Sequence, residues 1–175
     1  MKTIKILLAL NFIFFFSSAA PKEKKSETNY NTKEITFDKS ELAKKWLIKS
    51  IENFFKQNEE FPEMSTITTK VYNDYKIDAM NIDMGTDGSL TMQQFNKKWK
   101  KKYDVKYAGY DGFLISAQDS GKVIVAKCEL LSSKNNVYVF HVIIKDLTYK
   151  GTYTRDIKVI ESGKSFLIDD VKELN

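Results

Sequence analysis

Residues 123–171 read VIVAKCELLSSKNNVYVFHVIIKDLTYKGTYTRDIKVIESGKSFLIDDV, and the fold class is decided there. The apolar period in this stretch is two, the period of a strand. Val123 to Leu131 sets Ile124, Ala126, Cys128 and Leu130 on one face. Ser132 to Asn136 reads as a polar turn. Val137 to Lys145 is apolar on both faces, as expected of a central strand. Tyr149 to Ile160 follows a Lys150-Gly151 turn, and Ser162-Gly163 makes a tight hairpin into Ser165 to Val171. Four antiparallel strands are therefore expected in the C-terminal half.

Upstream the period changes to that of a helix. Asp38 and Glu41 have the spacing of a capping box, and Leu42, Ala43, Trp46, Leu47, Ile51, Phe54 and Phe55 recur behind them on one face. Pro62 restarts the chain. A second helix is predicted over 64–82, with Ile67, Val71, Tyr75 and Ala79 inward. Ser89 or Thr91 is placed to cap a third helix, on which Phe95, Trp99 and Tyr103 form one apolar stripe among Lys97, Lys98, Lys100, Lys101 and Lys102. The register puts the aromatics inward and the lysines in water. Three helices followed by four or more strands define an α+β domain over residues 37–175.

The first twenty residues, MKTIKILLALNFIFFFSSAA, have a basic start, a short apolar run and small residues at the end. That is the layout of a secretory signal peptide, with cleavage expected between Ala19 and Ala20. The run is too short for a permanent membrane span. Residues 1–19 are read as the leader and 20–36 as a flexible, polar lead-in. Abundant Lys, Asn and Ile fit an AT-rich bacterial genome, and the product is expected to be periplasmic or secreted. Removing Lys2 and Lys5 takes the formal charge from +5 to +3. So mild an excess, in an exported chain, argues against nucleic acid as a partner. Cys128 is the single cysteine, so no internal disulfide can form and stability must come from an apolar core.

Chemistry-bearing motifs are sparse. Asp83 to Gln94 half-matches a calcium loop, but Gly85 stands where a third-position carboxylate belongs and Gln94 where the bidentate Glu belongs. No metal and no cofactor is expected. The weak catalytic candidates are His141, on the face of a central strand between Val139 and Ile143, and Asp111 and Asp119, which flank Phe113 in a loop. Asp146, and at most one of Asp169 and Asp170, are further carboxylates of the interior or its margin. Proton-transfer chemistry would need one of these carboxylates, or His141, within reach of a Tyr hydroxyl.

Two stretches carry a resemblance. One is Tyr110-Asp111-Gly112-Phe113-Leu114-Ile115-Ser116-Ala117-Gln118-Asp119. The other is the closing hairpin from Ile157 to Val171, with Phe166, Ile168 and the Asp169-Asp170-Val171 ending. The hairpin resembles the last two strands of nuclear transport factor 2-like domains. The Tyr-Asp-x-Phe-x-x-Ala-Gln-Asp pattern resembles an uncharacterised family of small secreted bacterial proteins placed in that cystatin-like α+β fold. Those proteins usually carry Trp where this chain has Phe166, and often Pro where it has Gly112. The resemblance implies a curved antiparallel sheet wrapped by the three helices into a cone with a cavity. It implies no particular activity, because relatives of that fold include isomerases, dehydratases, adaptors and pure binders. The expected function is a non-catalytic binding protein that takes a small apolar ligand or a protein partner, an immunity protein against an exported toxin being one version. A small cofactor-free isomerase, dehydratase or hydrolase is the alternative. No stable membrane anchor is expected, and the chain would be a monomer or a homodimer.

Overall fold

Helices and strands occupy separate halves of the chain, in the order α1 (Lys39–Phe54), α2 (Lys70–Met80), α3 (Met92–Trp99), β1 (Val123–Lys134), β2 (Val137–Asp146), β3 (Gly151–Ser162) and β4 (Ser165–Glu173). The computed structural model describes residues 38–56, 63–117 and 119–174, which lie within one compact unit, Thr36–Asn175. Residues 1–19 and 20–36, read above as leader and lead-in, lie outside the described residues, as do Pro62 and Gln118. The four strands form one antiparallel meander in the order β1-β2-β3-β4. The described part is thus a mixed α+β fold with three helices and a four-stranded antiparallel sheet.

Each helix begins where its local chemistry requires. Asp38 caps α1 by accepting from the Ser40 amide and hydroxyl at 2.9 and 2.8 Å. Thr69 caps α2 through the Tyr72 amide. Thr91, not Ser89, caps α3, in a reciprocal box with Gln94: the Gln94 amide donates to the Thr91 hydroxyl and the Thr91 amide to Gln94 Oε1 at 2.8 Å. Gln94, at the last position of the half-matched calcium loop, is therefore committed to a helix cap.

The hairpin turns follow from residue type. Asn135 and Asn136 both take positive φ (51° and 60°), the signature of a two-residue primed turn that matches strand twist. This carries β1 through Lys134, beyond the polar turn expected over 132–136. Gly163 (φ +59°) turns β3 into β4, with Ser162 opposite Ser165.

Two faces of the sheet do different work. Phe140, Val142 and Ile144 of β2, Ile157 and Val159 of β3, and Ile168 and Val171 of β4 are buried toward the helices. They meet Ala43, Leu47 and Ile51 of α1, Tyr72, Tyr75 and Ala79 of α2, and Phe95 and Trp99 of α3. Tyr75 is the hub of the aromatic packing. It stacks on Phe95 and Tyr103, with centroids 5.4 and 4.3 Å away, and meets the Trp99 ring edge-on. The stripe Phe95, Trp99 and Tyr103 is buried as predicted.

Two expectations about faces are corrected. In β1 the register shifts between Val125 and Lys127 and again between Leu130 and Ser132. These bulges each insert a residue and break the period of two. Val123 and Cys128 are buried, Ala126 is the exposed inserted residue, and Ile124 lies opposite Lys145 on the other face; Leu130 keeps the face of Cys128, opposite Phe140, but is exposed. In α2 the preceding turn, Met64–Thr66, is a separate 3-10 element, and the helix starts later, at Lys70. Its inward residues are Tyr72, Tyr75, Lys76 and Ala79, and Val71 is exposed.

The sheet's edges are partly covered. The chain at 67–69 lays a parallel stub against β4, with the Thr69 amide donating to Ile168 O at 2.8 Å and the Ile168 amide to Ile67 O at 2.9 Å. At the other edge Glu52 of α1 accepts from the Val125 amide next to the first bulge. Each contact satisfies an edge group that would otherwise offer itself to another strand.

Two predictions follow from the caps and the aromatic core. Thr91→Ala should cost about 1 kcal/mol in urea unfolding while Ser89→Ala costs under about 0.5 kcal/mol; equal losses would remove the cap from Thr91. Burial raises the hydroxyl pKa of Tyr72, Tyr75 and Tyr103, and burial followed by the Glu161 carboxylate raises that of Tyr138 to about 12. A folded pKa above the unfolded value near 10 means that the unfolded state loses the proton first. The stability that these groups contribute is complete below about pH 10 and falls as pH rises through the folded values. Spectrophotometric tyrosine titration should therefore show a late phase above pH 10 that coincides with loss of the near-ultraviolet circular dichroism signal.

Candidate functional site

Three charged side chains meet where α2, β3 and β4 converge. Lys76 and Arg155 have no exposed surface and the Glu173 side chain is 7% exposed. Lys76 Nζ donates to Glu173 Oε1 at 2.5 Å and to the carbonyls of Ala108 and Gly109 at 2.8 Å each. That uses all three ammonium protons. Arg155 donates through Nε to Leu114 O at 3.0 Å and through one terminal nitrogen to Ser116 Oγ at 3.2 Å, and the same nitrogen lies 3.1 Å from Glu173 Oε2. Ser116 Oγ in turn donates to Glu173 Oε2 at 3.1 Å.

Burial is the main influence on both cations. It pushes the Lys76 ammonium below its ordinary pKa, with Glu173 pulling back and Arg155 adding to the push. Burial likewise pushes Arg155 down, and Glu173 again opposes it. Removing two cations from water costs several kcal/mol each, and the cost is offset only where every donor finds an acceptor. Here, besides Glu173 and Thr154 O, the acceptors are the Ala108, Gly109 and Leu114 carbonyls and the Ser116 hydroxyl of the loop 108–116, which contains most of the first resemblance motif. The cluster therefore holds that loop to the sheet.

The loop has a backbone that the cluster dictates. Gly109 (φ +61°) passes so close to Glu173 that a Cβ would overlap the carboxylate. Leu114 is fully buried in the left-handed region (φ 68°), a costly conformation for a branched side chain. Its carbonyl is the one that Arg155 Nε binds. Phe113 packs edge-on against Phe54 with centroids 5.2 Å apart, so the loop is anchored to α1 as well.

With Ser116 and the loop backbone committed inward, Tyr110 and Asp111 project outward between two clefts. One, of about 430 Å³, is walled by Tyr107, Tyr153, Thr152, Lys106 and Glu173. The other, of about 580 Å³, is walled by Met80, Asn81, Met84 and Ala117. Tyr110, Asp111 and Ser116 belong to both. Asp111 makes no ion pair or hydrogen bond among the described residues, and Tyr110 reaches Met92 Sδ at 3.9 Å and meets the Phe95 ring edge-on with centroids 6.4 Å apart. Lys106 and Lys172 lie over the Tyr107 ring at 4.6 and 5.8 Å.

The other sequence candidates are elsewhere. His141 sits on the sheet face turned away from the helices, between the inward Phe140 and Val142. Its Nδ1 is 2.8 Å from Asp156 Oδ1, and its cross-strand neighbours are Glu129 and Asp156. Asp119 is exposed beyond the loop. His141, Asp111 and Asp119 share no hydrogen bond. Asp146 is a loop bracket that accepts from the amides of Gly121, Thr148 and Tyr149. Asp169 bonds Thr69 and Lys158, and Asp170 borders a small cleft with Val139, Asp156, Lys158 and Lys172. Burial raises the Asp170 pKa. The buried, unpartnered tyrosine hydroxyls are those of Tyr72 and Tyr103, on the helix side of the sheet. They are not near His141, so no Tyr–His pair of the kind expected for proton transfer is assembled from them. Among the described residues no group of three or more His, Cys, Asp or Glu is arranged to hold a metal.

Sequence reading missed Lys76, Arg155 and Glu173. A signal was available: Arg155 is the one arginine among the chain's 28 basic residues, and it has the strand parity of Ile157 and Val159. A guanidinium in place of the lysine used everywhere else points to a buried, multi-acceptor site.

Comparison with known proteins returned no matching family model, no matching curated protein and no matching solved structure.

Glu173→Gln should leave Lys76 and Arg155 buried without their counter-charge. The expected loss is about 3–5 kcal/mol in denaturant unfolding, with faster amide exchange confined first to 108–116. A loss below about 1 kcal/mol would show that the cluster does not hold the loop.

Proposed function

We propose that this chain is an exported, non-catalytic binding domain that presents the Tyr110–Asp111 ridge, with its two flanking clefts, to a small ligand or to a protein partner. A nuclear transport factor 2-like cone, in which the three helices wrap the sheet, is part of this reading. The two resemblance stretches support it, as does the helices-then-meander order of the described elements. Export rests on the leader-like residues 1–19.

The carrying observation is the unequal use of polar groups in one loop. Ser116 and three of the loop's carbonyls face a saturated ionic cluster, while Asp111 and Tyr110 stand at the clefts and make no salt bridge among the described residues. A rigid loop bearing uncommitted side chains suits recognition. The walls combine three tyrosine rings with Asp111, Ser116 and Lys106. Such a lining favours a ligand with an aromatic or otherwise flat face and polar edges over the purely apolar one expected from sequence. An exported toxin whose loop carries the same features would also fit, as an immunity pair requires.

The enzyme alternative draws on one pair, His141 and Asp156. It resembles a base with its orienting carboxylate, but no hydroxyl or thiol among the described residues bonds His141 to complete the arrangement.

A thermal-shift screen with amphipathic aromatic compounds tests the site. Compounds that raise Tm should lose at least half of that shift in Tyr110→Ala and in Asp111→Asn. Both variants should keep the unliganded Tm within about 2 °C, since each side chain is exposed. Hits that ignore both substitutions would move the site away from this ridge.

A further inference from the structure

We propose that the lysine face of α3 is a contact surface for an anionic phospholipid bilayer. The helical spacing continues past the end of α3, because the Tyr103 amide bonds Trp99 O at 3.0 Å. Phe95, Trp99 and Tyr103 are buried on one side of this rod. Lys97, Lys100 and Lys101 fall on the opposite side, within about 100° of one another at 3.6 residues per turn. All three are exposed and none has an acidic partner among the described residues. Nearby Lys98 and Lys106 do, in Asp78 and Asp104 at 2.7 and 3.5 Å. Lys102 is also exposed, with its ammonium 5.8 Å from the Tyr103 ring. Three cations without an acidic partner among the described residues thus share one face of a short rod, in a chain whose formal charge is only +5 overall.

The chemistry of the patch selects its occupant. Its cations are lysines only, and the single arginine is buried in the ionic cluster. Lysine is a point charge on a flexible stem that suits the diffuse field of a charged surface, whereas reading bases or clamping individual phosphates favours the guanidinium fork. Single-stranded nucleic acid also needs ring faces on which to stack bases, and the rings of this helix are turned inward. None of the three clefts described above is lined by Lys97, Lys100 or Lys101. An extended, flat, negative surface is what remains, and each lysine brought near it strengthens binding about fivefold. The contact is reversible and sensitive to salt. It is independent of the cleft reading, because it uses none of the residues assigned there to ligand contact.

The full chain is sedimented with vesicles of neutral phosphatidylcholine and with vesicles containing about 30% phosphatidylglycerol at about 0.1 M salt. The apolar stretch 6–16 contributes equally to parent and variants, so differences between them isolate the lysines. The proposal expects preference for the anionic vesicles and a loss on the order of a hundredfold in K97A/K100A/K101A. It also expects little change in the control K134A/K145A/K164A, which removes the same charge from other exposed positions. Unchanged circular dichroism in both variants excludes misfolding. An unaffected K97A/K100A/K101A, an equal loss in the control, or tighter binding to a single-stranded oligonucleotide than to anionic vesicles would each overturn it.

Discussion

The ionic contact between Glu173 and the two cations Lys76 and Arg155 is the constraint on which the rest of the structure turns. It draws one residue from α2, one from β3 and one from β4 to a single point, and it borrows carbonyls from a loop between them. Hydrophobic burial drives these elements together but is indifferent to small slides of one over another. A buried carboxylate with both oxygens occupied is not. A one-residue slip of β3 would turn Arg155 to the open face of the sheet and leave Glu173 facing Lys76 alone. Ion pairs of this kind add little net stability compared with a well-packed apolar replacement. Their contribution here is to fix register and loop geometry, while the aromatic packing around Tyr75 supplies the favourable burial.

The sheet's open face follows a different logic. Glu129, His141, Asp156 and Lys172 are cross-strand neighbours in one row from β1 to β4. Along β2 and β3 these residues alternate with buried ones, which is how a meander keeps one side wet and one side dry. His141 is therefore tied into a surface row by Asp156, as a partly exposed histidine with a local partner. Its place on a central strand did not make it a core residue, because parity, and not centrality, decides which face a side chain takes.

Much of the fold was legible in the sequence. The caps at Asp38 and Thr91, the stripe of Phe95, Trp99 and Tyr103, and the strands after 122 each rest on a local rule that tertiary contacts did not override. What was illegible had two physical causes. The bulge after Val125 inserts Ala126, and a strict period of two then places Ile124 on the face of Cys128, although Ile124 lies opposite Lys145 and Cys128 opposite Val142. The buried charges failed for another reason: a reading that treats Lys and Arg as markers of solvent passes over the positions where they are paired inside. Lys76 lies four residues after Tyr72 and one after Tyr75, on the same helix face, and only its charge hid it. The loop 110–119 stood out as a motif, yet its anchoring side chains lie far away in sequence, at positions 76, 155 and 173, where no local pattern could link them to it.

The same geometry bears on how the clefts could work. A lid opens by exchanging one set of backbone contacts for another, and it needs a segment of low local stability. The loop from Ala108 to Ser116 is the reverse case. Releasing it would strip Lys76 of two carbonyl acceptors and Arg155 of one, and would leave both cations in a dry site. The left-handed Leu114 persists because that penalty exceeds the cost of its strained backbone. Tyr110 and Asp111 are therefore held on a fixed backbone, and adjustment to a ligand is left to their side-chain rotamers. A site of this construction gains affinity by losing little entropy on binding, and it discriminates by the shape and charge it presents in advance.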